Sequence, residues 1–281
     1  MAKKVFFGNY KGGVGKTTST YQVALELQKR GQNVLLIDLD SQSSLSEICL
    51  TAYEKLLSDI SDNETLNYVY TLYLQANKIH NIRFTLNIET LIKKVHGVDF
   101  IPNSLFSRYG GLDKISMEMD KSIENLLILR TFIEDNNLNT RYDFIFFDCP
   151  PSNNIITQMA FLYSDYYIIP TIMDALSVRG VQHYISIIKK IYKNYCEENE
   201  NAALFSLLFG KEPKLIGIFE TMRKGPTITT TYRNMITENK LHLFESEIKH
   251  LKDITESTGI GSIANFVGYD KLTDEILECV K

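Results

Sequence analysis

Short apolar runs alternate along this 281-residue chain with longer segments in which apolar residues recur at helical spacing. The short runs occupy residues 5–7, 34–37, 98–102, 143–147, 166–170 and 215–219. A continuous apolar run predicts a strand that is covered on both faces, which is typical of a parallel sheet. Segments 17–30 and 181–195 carry apolar side chains every three or four positions and therefore predict amphipathic helices.

The order of these elements indicates the class of fold. A strand at 5–7, a helix at 17–30 and a second strand at 34–37 form a βαβ unit, whose two strands are parallel. The alternation continues along the chain and gives about six or seven strands with helices between them. We therefore predict an α/β fold, a doubly wound and mostly parallel sheet with helices on both faces.

Residues 51–97 depart from this alternation. They are rich in asparagine, have mostly helical propensity and contain no glycine before Gly97. We expect helices inserted on the sheet, since no internal repeat and no proline- or serine-rich linker marks a second domain. The sequence thus predicts a single domain over residues 1–281 with a helical insertion at about 51–97.

Composition and charge exclude several classes of protein. Hydrophobic residues make up 44% of the chain and charged residues 23%, with 15 Gly and 6 Pro, which excludes disordered and collagen-like proteins. The formal net charge is −4, so the chain has no overall positive field that attracts nucleic acid. Any affinity for DNA must come from a local basic patch, which oligomerisation could enlarge.

The sequence predicts neither a membrane protein nor a metal-cluster protein. No apolar run approaches the roughly 18 residues of a membrane span, and the first residues predict a strand rather than a signal peptide. The cysteines lack CxxC spacing and are predicted to be free thiols in a reducing cytosol: Cys49, Cys149, Cys196 and Cys279.

A glycine-rich segment lies between the first predicted strand and the first predicted helix. It consists of Lys11, Gly12, Gly13, Val14, Gly15, Lys16, Thr17 and Thr18. Glycines let the backbone turn its N–H groups toward phosphate oxygens, and the next helix adds its positive N-terminal end. We expect Lys16 to reach the β- and γ-phosphates and the Thr17 hydroxyl to bind Mg²⁺. The segment therefore predicts nucleotide binding rather than a purely structural turn.

Two positions of this segment differ from an ordinary phosphate loop. Tyr10 stands where the ordinary motif has its first glycine, and Lys11 adds a second lysine at the mouth of the loop. With these features the segment resembles the deviant Walker A motif of the ParA/MinD group of P-loop ATPases. In that group the second lysine crosses a dimer interface to the ATP of the partner, and the resemblance implies the same role for Lys11.

Two later segments carry the same resemblance. Residues 38–42 are similar to the aspartate-rich first switch of the group, although Ser41 stands where the group usually has proline. The resemblance implies that Asp40 polarises the attacking water and senses Mg²⁺, while a helix N-cap is the structural alternative for this residue. Residues 144–151 resemble the Walker B strand and second switch, and place Asp148 at the end of the strand beside Mg²⁺.

Three subclasses of the group differ in features that a sequence shows. Relatives of the nitrogenase iron protein share an iron–sulfur cluster through two cysteines per subunit, and the position of Cys149 beside Asp148 does not match that placement. The MinD type anchors through a basic amphipathic C-terminal helix, whereas residues 270–281 are net acidic and lack aromatic residues. The chain is most similar to short ParA-type partition ATPases, over residues 3–277, with residues 51–90 matching least.

The resemblance implies an ATPase that is slow without its partner and uses ATP and Mg²⁺. Lys11, Lys16 and Asp40 would act in catalysis, Thr17, Asp40 and Asp148 would hold the metal, and Met222 would lie near the adenine. The protein would be cytoplasmic and nucleoid-associated, with no membrane partner. It would form an ATP-dependent homodimer, bind DNA non-specifically and respond to a centromere-binding, ParB-like adaptor.

Two small basic groups are the candidates for DNA contact. They are Arg223 with Lys224 and Lys249 with Lys252, although a group of this kind alone is more often a solvated surface. Two alternative functions remain at this point. One is a ParA-like positioning or regulatory ATPase with a different cargo, and the other is a nucleotide-gated binding switch with little turnover.

Overall fold

The computed structural model describes residues 1–52, 54–79, 84–223, 229–249 and 268–280. These residues contain one eight-stranded sheet, which has the spatial order β3-β4-β2-β5-β1-β6-β7-β8. Its strands are β1 (Lys3–Phe7), β2 (Val34–Asp38), β3 (Lys93–Val95), β4 (Val98–Ile101), β5 (Phe144–Asp148), β6 (Tyr166–Thr171), β7 (Lys214–Arg223) and β8 (Leu243–Lys249). Every neighbouring pair is parallel except β3 with β4. The predicted α/β fold class is confirmed.

Helices cover both faces of the sheet. They are α1 (Lys16–Lys29), α2 (Ser44–Thr51), α3 (Leu66–Lys78), α4 (Ile88–Leu91), α5 (Leu112–Met117), α6 (Ile123–Leu126), α7 (Ile128–Asp135), α8 (Leu138–Arg141), α9 (Ile155–Tyr163), α10 (Ala175–Cys196), α11 (Ala202–Phe209), α12 (Thr230–Glu238) and α13 (Tyr269–Cys279). Two 3₁₀ turns, Leu57–Asp59 and Asp62–Glu64, lie between α2 and α3. Within the described ranges, every helix is too short or too polar to span a membrane.

Alternation along each central strand divides the core into two clusters. Phe6, Ile37 and Phe147 belong to the cluster beneath α3, α7, α9 and α10. Their neighbours Phe7 and Phe146 belong to the cluster beneath α1, α2 and α13. Successive side chains of a strand point to opposite faces, so a continuous apolar run supplies both clusters at once. This is the physical basis on which the central strands could be predicted.

The helical insertion predicted at residues 51–97 is only partly helical. It contains α3, α4 and the two 3₁₀ turns, but it ends in β3, an antiparallel edge strand paired with β4. His96 and Gly97 connect the two strands with φ angles of 46° and 86°. Positive φ at both positions is what a two-residue hairpin turn needs. The expectation of helix alone is therefore wrong for Lys93–Val95, a strand too short and too polar to predict.

Two other differences from the predicted elements have local causes. The helix predicted at 181–195 begins earlier, at Ala175, because the Asp174 side chain accepts a hydrogen bond from the backbone N–H of Ser177 and caps it. Strand β8 alternates buried and exposed residues, as an edge strand does, and so forms no continuous apolar run.

The four cysteines are free, as predicted.

Candidate nucleotide-binding site

The glycine-rich loop follows β1, which lies between β5 and β6 in the middle of the sheet. Gly13 and Gly15 have φ angles of 68° and 78°, in the left-handed region that favours glycine. Gly15 is also the N-cap residue of α1, so the loop turns directly into the helix. Backbone N–H groups and the positive end of α1 therefore face the crevice at the carboxyl ends of the strands, where open α/β sheets bind ligands.

Lys16 is held beneath its own loop. Its Nζ donates a hydrogen bond to the backbone carbonyl of Lys11 at 3.2 Å, and only 7% of the residue is exposed. Burial lowers the pKa of Lys16, while the carboxyl groups of Asp148 and Asp40 act in the opposite direction. The ammonium group is thus preorganised to meet an anion within the curve of the loop.

Asp38 and Asp148 lie side by side at the carboxyl ends of β2 and β5. Each is 1% exposed. Burial raises the pKa of Asp38 to about 7, even though the Ser46 hydroxyl and backbone N–H both donate to its Oδ2. Burial also raises the pKa of Asp148, the charge of Asp38 adds to this effect, and the Thr17 hydroxyl opposes it. The negative charges of the two carboxylates therefore repel one another in a site that is shielded from solvent.

The carboxyl group of Asp148 provides a test of whether Mg²⁺ fits this site. Its Oδ2 is buried and accepts no hydrogen bond within the described part of the chain. A buried polar atom of this kind needs a partner, and a hard divalent cation is one that carboxylate oxygens prefer. No group of three His, Cys, Asp or Glu side chains among the described residues could hold a metal alone. Thr17 and Asp148 fit Mg²⁺ and would hold it here, together with oxygen ligands from outside the chain.

Asp40 lies in a loop that Asn103 holds in place. The Asn103 side-chain amide donates to the backbone carbonyls of Asp38 and Asp40, at 2.9 Å each. The Ser43 hydroxyl hydrogen-bonds the amide oxygen of Asn103, and Ser43 has a φ of 57°. The N-cap residue of α2 is Ser43, so Asp40 does not serve as that cap. Its Oδ1 instead accepts from the backbone N–H of Gln42 at 3.0 Å.

Lys11 contacts its own subunit. Its Nζ lies 2.9 Å from Oδ2 of Asp174 and also donates to the Ser177 hydroxyl. Burial by itself would raise the pKa of Asp174, but hydrogen bonds from Lys11 and Ser177 outweigh it and lower the pKa to about 2. The side chain of Asn9 accepts from the backbone N–H of Lys11 at 3.0 Å and donates to the Pro170 carbonyl at 2.8 Å. The contact of Lys11 with a second subunit stays a prediction.

Thr221 connects the glycine-rich loop to the other half of the sheet. Its hydroxyl lies 2.9 Å from the carbonyl oxygen of Val14 and 3.1 Å from that of Thr171. Met222 comes next and has a φ of 54°. The end of β7 is therefore fixed against the loop, and Met222 stands beside it, while its contact with adenine stays a prediction.

A family model described as an AAA domain matches residues 2–202. This range includes the glycine-rich loop, Asp38, Asp148 and the ion pair of Lys11 with Asp174. The chain belongs to this family and is a ParA/MinD-type P-loop ATPase. A ParA family protein of a Chlamydia psittaci virulence plasmid, pGP5-D, is 28% identical over 256 residues, 88% of this chain and 86% of that protein. The chain is thus a member of the ParA/Soj-like partition ATPases, and the predicted resemblance is confirmed.

Two solved structures share the fold of this P-loop ATPase. A plasmid partition protein from Borrelia burgdorferi B31 bound to AMPPNP superimposes with a TM-score of 0.70 at 23% identity, over 100% of this chain and 98% of that chain. Cobyrinic acid a,c-diamide synthase from Mycobacterium smegmatis, with bound ATP analogue and magnesium, gives a TM-score of 0.72 at 18% identity, over 99% and 95% of the two chains.

The two described candidates for DNA contact in this ATPase lie at the far edge of the sheet. Arg223 and Lys249 are neighbours in the pairing of β7 with β8. Lys249 is exposed, whereas Arg223 forms an ion pair with Glu247. Lys224 and Lys252 lie outside the described residues. The structure brings the two described candidates together and supplies a carboxylate that partly neutralises Arg223.

Several polar residues of the site were not predicted to take part. Asn9, Asn103 and Asp174 come within three residues of the ends of β1, β4 and β6, and Asp38 ends β2. Carboxyl ends of parallel strands meet at one edge of the sheet, so polar residues directly after predicted strands are the signal that could have found them. Their individual partners depend on which strands are neighbours, and the sequence does not specify that order.

Proposed function

We propose that this partition-family ATPase segregates DNA through a nucleotide-controlled homodimer. The chain would close on a second copy around ATP, bind DNA non-specifically and hydrolyse ATP faster when a centromere-binding, ParB-like adaptor is present. The observation that carries the proposal is the convergence of Lys16, Thr17 and Asp148 at one point of the crevice, beside a second lysine. Similarity to a plasmid ParA family protein supports the choice of cargo.

The residues of the loop would bind the nucleotide. The N–H groups of residues 12–15, with Lys16 and Thr18, would contact phosphate oxygens, and Met222 would lie beside the adenine. Thr17 and Asp148, with Asp40 nearby, would hold Mg²⁺, which when bound neutralises charge on the phosphates. Two structures of the same fold support this assignment: the diamide synthase holds an ATP analogue and magnesium, and the plasmid partition protein holds AMPPNP.

Asp40 would orient the attacking water. It is less buried than Asp38, and among the described residues its carboxylate accepts a hydrogen bond from the backbone of Gln42, which leaves carboxylate oxygen available to a water molecule. Lys11 and Lys16 would stabilise the charge that develops on the transferred phosphoryl group. Lys11 would do so from the second subunit, after leaving Asp174.

DNA contact would depend on the dimer. A chain with a net charge of −4 needs several cations on one surface, and two copies of Arg223 and Lys249 supply them. Lys224 follows Arg223 directly and Lys252 lies three residues after Lys249, and both belong to the same proposal. We further infer a single domain over the whole chain and an association with the nucleoid in the cytoplasm.

Turnover and DNA binding together test the function. Phosphate release from Mg²⁺-ATP should be slow, rise with DNA and the adaptor, and be absent in Lys16→Ala because that variant loses nucleotide binding. Asp40→Ala should bind ATP and release phosphate roughly 100-fold more slowly, since water positioning contributes rate rather than affinity. Asp274→Ala, at an exposed carboxylate on α13, is the control.

The alternatives give different results in the same assays. ATP-dependent dimers without phosphate release would favour a nucleotide-gated switch. Phosphate release without any DNA binding by the ATP form would favour a positioning ATPase with another cargo. Full ATP affinity in the Lys16→Ala variant, measured by calorimetry, would contradict the assignment of the loop itself.

A further inference from the structure

A cavity lies between the beginning of α9 and the second half of α10, away from the glycine-rich loop. Its volume is about 380 Å³, which is within the range of small-molecule sites. Six polar side chains line it: Lys121, Asn153, Gln158, Lys190, Asn194 and Asn199. Ile187 and Ile191 supply an apolar strip along α10. Among the described residues, no acidic side chain lines it.

The two lysines of this cavity have no acidic partner in the part of the chain that the structure describes. Lys121 and Lys190 are exposed, and neither forms an ion pair with any described residue. Lys193, one turn from Lys190 on α10, differs in this respect because it pairs with Glu198 at 2.6 Å. Two unpaired ammonium groups beside several amides make a wall rich in hydrogen-bond donors and net positive in charge.

One wall of the cavity is preorganised by a buried glutamine. Gln158 is 7% exposed, and its Nε2 donates to the carbonyl and to Oδ1 of Asn153, at 3.2 and 3.1 Å. Its Oε1 accepts from the Tyr195 hydroxyl at 2.9 Å. Gln158 therefore joins α10 to the loop that follows Asp148, and holds Asn153 at the mouth of the cavity.

We propose that this cavity is an anion-binding site for a carboxylate or phosphate group. Lys121 and Lys190 would donate charge-assisted hydrogen bonds, which are stronger than neutral ones, and the asparagine amides would complete the site. The same chemistry has two possible sources, a free anion of metabolite size or an acidic side chain presented by a protein partner. The site does not depend on the proposed function, because neither its residues nor its test involves ATP.

Methyl NMR of the whole chain tests the site directly. With isoleucine δ1-methyl groups labelled, inorganic phosphate is the probe for a free anion and an end-blocked tetraglutamate peptide is the probe for an acidic partner. Ile187 and Ile191 line the cavity and should shift saturably, while Ile276 on α13 should not. Binding of phosphate to the glycine-rich loop does not interfere, because the readout is local to these two methyl groups.

Charge-neutral variants identify the donors. Lys190→Gln and Lys121→Gln should each weaken binding about 10-fold, the effect of losing one charge-assisted hydrogen bond. Lys189→Gln is the matched control, since Lys189 is the exposed neighbour on α10 and does not line the cavity. Each variant side chain is exposed in the wild type, and an unchanged thermal midpoint verifies that the fold is intact.

Each outcome decides the proposal. A response to phosphate assigns a free anion, a response to the peptide alone assigns an acidic partner segment, and both support the site. The absence of a shift with either probe up to about 50 mM, well beyond millimolar affinity, would overturn it. Equal weakening by Lys189→Gln would overturn it as well, because the effect would then be general surface charge.

Discussion

Lys11 and Asp174 form an ion pair with 2.9 Å between Nζ and Oδ2, which joins the mouth of the glycine-rich loop to the start of α10. Their side chains are 40% and 43% exposed. A pair this exposed stabilises the protein by only about 0–1 kcal/mol. Lys11 can therefore exchange Asp174 for a phosphate group at little cost, which its proposed role in a second subunit requires.

Asp174→Asn should favour the ATP-dependent dimer. Asparagine is as good an N-cap as aspartate, so α10 is preserved, while the charge that retains Lys11 is removed. We expect the dimer dissociation constant to fall by up to about fivefold, the equivalent of the exposed ion pair. Sedimentation velocity at fixed ATP concentration measures this constant. Asp274→Asn, which removes an exposed ion pair with Arg30, should have no effect.

The effect of Asp174→Asn should not depend on pH near neutrality. Lys11 and Ser177 lower the pKa of Asp174 to about 2, from an ordinary value of 3.8. A lowered pKa means that the ion pair contributes fully above about pH 4 and is lost only as the pH falls toward 2. The ratio of wild-type to variant dimer constants should thus be the same at about pH 6 and pH 8. A ratio that changes across this range would show that another group controls Lys11.

Asn103→Ala should destabilise the loop that contains Asp40. Asn103 is fully buried, and its removal leaves the carbonyls of Asp38 and Asp40 without the amide that now donates to both. We expect the free energy of unfolding to fall by about 2–6 kcal/mol, since each of the two groups left unsatisfied costs about 1–3 kcal/mol when it is buried. Urea denaturation measures the loss. Asn239→Ala, at the exposed residue directly after α12, should change stability by much less.

Reversing the charges of Arg223 and Lys249 together should weaken binding of DNA by the ATP form. The two residues are neighbours at the end of β7 and β8, and each lost phosphate contact should reduce the salt slope by about 0.9. Filter binding across salt concentrations measures affinity and slope, and ATPase activity without DNA should be retained. Lys189→Glu with Lys193→Glu, on α10, carries the same change of charge to a surface without a proposed DNA contact.

Glu247→Gln should act in the opposite direction on the same surface. Glu247 pairs with Arg223 and lies 3.4 Å from Arg233, so its carboxylate competes with DNA phosphate for the first arginine. Loss of the charge should raise affinity a few-fold, while Arg233 remains held by the buried Glu220 at 2.8 Å. Unchanged affinity in both the reversed and the neutral variants would move the DNA surface elsewhere.

The sequence by itself determined the features that depend on nearby residues. Gly13, Gly15 and Lys16 act through local backbone geometry and a helix that begins at once, so their spacing was enough to predict the loop. The central strands were equally predictable, because burial on both faces leaves a continuous apolar run. The place of Asp148 in the site was predictable because this residue directly follows such an apolar run.

Only the tertiary structure decided the contacts between distant segments. Asn103 clamps the Asp40 loop because β4 lies beside β2, and Asp174 meets Lys11 because β6 lies beside β1. The pairing of Arg223 with Glu247 likewise requires β8 to run along β7. Side-chain contacts of this kind depend on the order of strands in the sheet, which is set by packing of the whole core rather than by the residues that make the contact.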